Sequence, residues 1–163
     1  YPNREVAGSM AELYANELTQ GKRIRSSAAT PIRSAMEKGA LEAVIDYFNA
    51  AVTAIDYHRY PIKDEASCRA YMQVLLIGAA MIPKVEIHNA HGRSVMEVEV
   101  NGQHWVFEFK FARRSSEVTD LLDEAINQLR TRHYGETSVN TNRIGVALVF
   151  DSQKRRFTAW QRA

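Results

Sequence analysis

The chain lacks most features that would place it at a glance. It has a single cysteine, Cys68, so no disulfide can form within it, and a reducing compartment is expected. Neither sign of charge dominates. The 21 Lys and Arg residues against 19 Asp and Glu leave a net charge of +2, too little to announce a nucleic-acid binder on bulk charge alone. No apolar run approaches the roughly 20 residues that cross a bilayer; the longest, Val74 to Ile82, is interrupted by Gly78. A membrane partner is therefore not expected. His88, His91 and His104 with Cys68 match no zinc spacing, and the G-x-x-x-x-G-K-S/T phosphate loop of ATPases does not occur. The chain opens on Tyr1 with no charged-then-apolar leader behind it, which reads as a segment of a longer polypeptide without a secretion signal.

What is present is ordinary in bulk and specific in detail. With 163 residues, 45% hydrophobic and 25% charged, the expectation is one domain able to bury its own core. Gly8 to Leu18 reads as a short helix and Gly21 to Thr30 as a polar connector. Pro31 to Lys38 reads as a helix closed by Gly39. From Ala40 to Ile55 the positions Leu41, Val44, Ile45, Phe48, Val52 and Ile55 keep a 3.6-residue period, which predicts an amphipathic helix. A further helix is expected over Asp64 to Met81. Glu65 lies along its apolar line, where a carboxylate costs free energy unless paired; in the first turn it also favours the positive helix end and can reach water.

The period then changes to two. Strands are expected at Lys84 to His88, Val95 to Val100 and Gln103 to Phe111, with a turn at Asn89 to Gly92 and a hairpin turn at Asn101-Gly102. Ser115-Ser116 opens a helix that buries Val118, Leu121, Leu122, Ala125, Ile126 and Leu129 and ends near Gly135. Ile144 to Phe150 is a nearly continuous apolar strand, expected to be buried on both faces. A turn at Ser152-Gln153 leads to a last strand, Arg156 to Trp160. Helices, three strands, a helix and two strands make an α/β or α+β sheet flanked by helices.

Alternation sorts the hairpin's side chains. Phe107, Phe109 and Phe111 share one face with Met96, Val98 and Val100. Val106, Glu108 and Lys110 share the other with Val95, Glu97 and Glu99. Carboxylates gathered around a lysine suit metal-assisted phosphodiester cleavage: hard oxygens hold Mg²⁺, the metal activates water, and the lysine offsets charge on the phosphate. A solvent-facing strand with cross-strand Glu–Lys pairs would show the same pattern. Basic residues are locally grouped as Arg113-Arg114, Arg130 with Arg132, and Lys154-Arg155-Arg156. Such groups track a phosphate backbone or simply make a solvated surface. Trp105 and Trp160 read as packing residues.

Gly92-Arg93-Ser94-Val95-Met96-Glu97-Val98 followed by Trp105-Val106-Phe107-Glu108-Phe109-Lys110-Phe111 resembles the PD-(D/E)XK nuclease superfamily. More narrowly, it resembles the nuclease-like domain found C-terminal to AAA-ATPase-like domains in bacterial proteins. The similarity runs from Tyr1-Pro2-Asn3-Arg4-Glu5-Val6, through the helix bearing Glu65 and the Gln128 to Tyr134 stretch, to Trp160. It implies a restriction-endonuclease-like core, a mixed sheet of about five strands flanked by helices, over 57–163, with a helical extension over 1–56. It implies Mg²⁺ (or Mn²⁺)-dependent DNA hydrolysis. Glu65 and Glu108 would be metal ligands, Lys110 the catalytic lysine, and Gln128 and Tyr134 neighbours of the site. Arg93, Arg113, Arg114, Arg130 and Arg132 are candidate contacts to DNA. The implied setting is the bacterial cytoplasm, beside an AAA-ATPase-like domain in the same polypeptide, with a homodimer also open. A delivered toxin domain is a further reading, and would bring an immunity protein.

One position departs from the pattern. After Gly-Arg-Ser the family carries a metal-binding aspartate, and here stands Val95, which cannot ligate a cation. Three accounts are open. The first is engineered or selected inactivation of a toxic nuclease. The second is natural loss, leaving a catalytically silent domain that binds nucleic acid or a partner protein. The third has Glu97, two residues on and roughly 6.6 Å along the strand, standing in as ligand.

Overall fold

Strand-forming alternation at Met96 to Val100 and Trp105 to Phe111 sets up the sheet around which everything else packs. The structure is a computed structural model; it describes residue 13 and residues 32–88, 93–132 and 142–163, with backbone alone at 86–88, 93, 94 and 132. The expected helix at Gly8 to Leu18, the connector Gly21 to Thr30, the turn Asn89 to Gly92 and the helix end near Gly135 lie outside the described residues, apart from Leu13. The elements in order are helices α1 (Ile32–Glu37), α2 (Leu41–Ala54) and α3 (Glu65–Gly78), strands β1 (Lys84–His88), β2 (Arg93–Val100) and β3 (Gln103–Ala112), helix α4 (Val118–Arg132), and strands β4 (Arg143–Asp151) and β5 (Arg156–Arg162).

The five strands form one sheet in the order β1-β2-β3-β4-β5. All neighbours are antiparallel except β3 and β4, which run parallel. A parallel pair needs a crossover, and α4 supplies it. This is the mixed five-stranded sheet flanked by helices that the sequence leads one to expect. The hairpin between β2 and β3 turns through Asn101 (φ 48°) and Gly102 (φ 76°), the two left-handed residues that match the twist of the flanking strands. β2 begins at Arg93, two residues earlier than expected, because β1 pairs with it as far as His88 opposite Arg93. β4 is buried at every position from Ile144 to Asp151, as a strand inside the sheet with helices on both faces must be.

Two apolar clusters cover the two faces. The larger gathers Met96, Val98, Trp105, Phe107, Phe109, Leu148 and Phe150 of the sheet with Met36, Phe48, Met72 and Leu76 of the first three helices. Thus α1 and α2, from the expected helical extension, share the sheet's main core. The smaller joins Val95, Val106 and Ala147 to Ala125, Ile126 and Leu129 of α4. Polar ties orient the helices: the Asn49 side chain accepts from the Phe157 N–H (2.8 Å) and donates to its carbonyl (3.1 Å), and the Trp105 indole donates to the Met36 carbonyl.

Local chemistry ends each helix. Gly39 (φ 66°) closes α1, with Ala40 N–H bonded back to the Ala35 carbonyl. The helix α3 stops at Gly78, three residues short of the expected Met81. Ala80 adopts a left-handed conformation (φ 59°), and Met81 N–H bonds back to the Leu76 carbonyl, a Schellman closure. Its start is a capping box between Asp64 and Ser67.

At the end of β3 and β4 two connections are stitched together. Asp151, fully buried, accepts the Ser115 hydroxyl (2.6 Å) and the backbone N–H groups of Gln153 (2.9 Å) and Lys154 (3.1 Å). Gln153 in turn accepts the Ser115 N–H, and Ser152 donates to the Ala112 and Arg113 carbonyls. Burial pushes the Asp151 carboxyl up, but the bonds from Ser115, Lys154 and Gln153 outweigh it and hold the pKa below 3.8. A lowered pKa contributes stability above the unfolded value and loses it as pH falls through the folded value. Asp151→Asn should therefore cost about 1–2 kcal/mol at pH 7. In urea unfolding, the gap from the parent chain should narrow below about pH 4; a constant gap down to the acid limit would refute this account.

Candidate active site

β3 carries the chemistry because its two faces differ. Phe107 and Phe109 enter the main core, while Glu108 and Lys110 point to the face under α4 and are nearly dry, at 1% and 5% exposure. A buried ammonium must be compensated, and Lys110 is held from two sides. Its Nζ donates to Glu124 Oε1 of α4 at 2.7 Å and lies 3.9 Å from Glu65 Oε1 of α3. Gln128, one turn beyond Glu124, donates to the same Glu124 oxygen at 3.0 Å.

Glu65 is the first residue of α3, half-buried, and its carboxylate lies 3.9 Å from the Lys110 ammonium near the end of β3. It therefore meets the end of β3 and sits at a helix N-terminus, so both features read from the sequence coexist. Burial raises its pKa above 4.5; Lys110 opposes the rise and Glu124 adds to it. Cys68, one turn further on, is fully buried; burial, and then Glu65 and Asp64, push its thiol up.

Val95 stands directly opposite Glu108 across the β2–β3 ladder, and Glu108 stands opposite Ala147 on β4. The side chain is 1% exposed and packs in the small cluster with Val106, Ala125, Ile126, Leu129 and Ala147. Directly opposed residues have Cβ atoms about 4.5–5.5 Å apart, so an acid at this position would reach the Glu108 carboxylate. Glu97 lies on the same face, but its carboxylate engages His104 Nε2 at 3.2 Å, toward the hairpin end of β3. Glu99 is exposed beyond it.

The remaining candidates divide plainly. Gln128 is brought beside Lys110 through Glu124. Arg113, Arg114 and Arg130 are exposed, and Arg114 is committed to Glu117 at 2.7 Å. Tyr134 lies outside the described residues, and for Arg93 and Arg132 only the backbone is described. Glu124 escapes a reading of the sequence. The available signal was its place four residues before Gln128, which puts the two on one helix face.

The donor set does not fit a divalent cation as it stands. Val95 offers no oxygen beside Glu108, and an ammonium occupies the space between Glu65 and Glu124. Among the described residues no group of three or more His, Cys, Asp and Glu side chains is placed to hold a metal.

A family model described as the PD-(D/E)XK nuclease superfamily matches residues 63–160, from the start of α3 to the end of β5. No curated protein matches the chain. Nucleases of this superfamily generally use divalent metals. Among the described residues no helix is long and apolar enough to cross a membrane.

The pairing of Lys110 is testable by subtraction. Lys110→Met leaves Glu65 and Glu124 without the cation between them and should cost about 3 kcal/mol. Glu124→Gln keeps an acceptor for the ammonium at a half-exposed position and should cost less than about 1 kcal/mol. Urea unfolding of both variants measures the difference; equal costs would show that the ammonium is not the central charge.

Proposed function

The chain belongs to the PD-(D/E)XK nuclease superfamily, and we propose that it is a DNA phosphodiesterase domain whose hydrolysis is weakened or lost because Val95 stands at a metal-ligand position. One observation carries this reading: Val95 lies in register beside Glu108, on the face where Lys110 and Glu65 converge. Three of the four positions that such a site needs hold the right chemistry, and the fourth holds an aliphatic side chain of similar size to aspartate.

When bound at such a site, a divalent cation activates water and offsets negative charge on the phosphate. In this chain no step runs through it. What the chain's own residues supply is a fixed ammonium at Lys110, oriented by Glu124, toward which a phosphate oxygen or an attacking water can be drawn. Glu65 and Glu108 flank that position. The apolar seat of Val95 under α4 supports a second reading, a catalytically silent domain that binds nucleic acid or a protein partner, because the metal-free form is already well packed.

Val95→Asp separates the two. With Mg²⁺ or Mn²⁺, the variant should nick or linearise plasmid DNA, the parent chain should not, and the pair Val95→Asp with Lys110→Ala should be silent again. A stability readout accompanies it. The new carboxylate is buried next to Glu108, so the thermal midpoint should fall without a cation and recover on adding Mn²⁺ by mass action. The parent's midpoint should not respond. No cleavage in any variant, with no Mn²⁺-dependent recovery, would sink the phosphodiesterase reading in favour of the silent one.

A further inference from the structure

The sheet ends at which β3 and β4 finish collect more positive charge than any single stretch of the sequence suggests. Arg113 and Arg114 follow β3, while Lys154 and Arg155 lie in the β4–β5 connection and Arg156 opens β5, 40 or more residues further on in the chain. The buried Asp151 locks the two connections together through Ser115, while Gln153 and Ser152 add three more bonds between them. The stitching uses both side chains and backbone, so the cations are held as one unit rather than as two loops.

The charges on this unit are largely uncommitted. Arg114 pairs with Glu117, but among the described residues Arg113, Lys154, Arg155 and Arg156 form no ion pair with a carboxylate. Lys154 and Arg156 are exposed, as is Arg113. Arg155 holds a left-handed backbone (φ 52°), a conformation that an arginine adopts at a cost, and its guanidinium lies over the Tyr57 ring at 4.6 Å. Tyr57 in turn donates to the Ile62 carbonyl at 2.7 Å, just before exposed Lys63 and the start of α3 at Glu65. The ridge therefore runs from the β3 end, across the β4–β5 turn, to the segment that delivers Glu65. Lys110 is three residues before Arg113, about 10 Å along an extended chain.

We propose that this stitched ridge, with Arg113, Lys154, Arg155 and Arg156 as its cations, binds the phosphate backbone of duplex DNA next to the Lys110 site. Cations on a shaped, rigid edge neutralise several phosphates at once and release their counterions. Phosphate contacts of this kind position a duplex without reading its sequence. The proposal rests on the nuclease-type reading only in the choice of DNA; binding does not require hydrolysis.

The test uses the chain as it stands, with Val95 in place and a chelator present so that no cleavage can enter. Fluorescence anisotropy with a labelled duplex of about 20 base pairs gives the affinity between low and moderate salt. The combination Lys154→Gln, Arg155→Gln and Arg156→Gln should weaken binding at least tenfold at low salt. It should also flatten the dependence of log K on log salt by about 2–3, near 0.9 per lost phosphate contact. Arg156→Gln alone, a single exposed change that leaves the turn's bonds intact, should flatten it by about 0.9. A matched control, Lys38→Gln with Lys84→Gln, removes exposed cations elsewhere and should leave the slope unchanged. Equal losses in ridge and control variants would reduce the effect to net charge and overturn the proposal. So would a parent chain that binds no duplex at low salt, the result expected of a protein-docking surface. Failure of Val95→Asp to cleave, with the ridge variants still losing affinity, would sink the phosphodiesterase reading and leave the ridge standing.

Discussion

A lysine ammonium that water barely reaches is the constraint on which the rest of this end of the molecule depends. Lys110 sits on the central part of the sheet at 5% exposure, and a lone charge there would be untenable. Its compensation comes from two helices on different sides of the chain's path: Glu65 at the start of α3 and Glu124 in the second turn of α4. The end of β3, the entry to α3 and the crossover helix are thereby fixed relative to one another by electrostatics as well as by packing.

The charge balance around that ammonium explains why a valine is accommodated next to Glu108. Glu65, Glu108 and Glu124 already outnumber the single lysine, and burial drives Glu65 toward its protonated form. A further carboxylate at position 95 would add like charge in a dry environment unless a divalent cation were present to share it. Valine removes that requirement and completes the small apolar cluster beneath α4. The aliphatic side chain is thus the stable choice at this position in the metal-free state. The same argument disfavours Glu97 as a substitute ligand, since its carboxylate is engaged by His104 at the other end of the strand.

Much of this was legible before any coordinates, because period-two patterns carry face information directly. Asn101-Gly102 marked the hairpin, and alternation assigned Phe107 and Phe109 to one face and Glu108 and Lys110 to the other, as the main core around the phenylalanines and the reach of Lys110 to Glu124 bear out. The continuous apolar run at Ile144 to Phe150 pointed to burial on both faces, which follows from its parallel pairing with β3. What stayed hidden was lateral placement. The apolar stripe of α4 shows which side faces the sheet, but not that Glu124 on its flank crosses above Lys110; that depends on the crossover and on register. Asp151 was concealed differently, at the end of an apolar strand, although an aspartate followed by Ser-Gln-Lys is a turn former that accepts the N–H groups two and three residues on. The helix end at Ala80 defied the periodicity because apolar spacing continues past the point where the backbone turns left-handed.

The parallel step between β3 and β4 gives the site its location. In an open sheet with helices on both faces, parallel neighbours send their connections out at the same end, and the helix N-termini that follow face back toward it. Here α4 starts from that end, and the start of α3 meets it where Glu65 approaches Lys110. Their partial positive charge adds to the cations on the two stitched connections. At the same strand ends the carboxylates of Glu65 and Glu124 are turned toward Lys110. The acids paired with the buried Lys110 and the exposed cations of the ridge therefore meet at one end of the sheet.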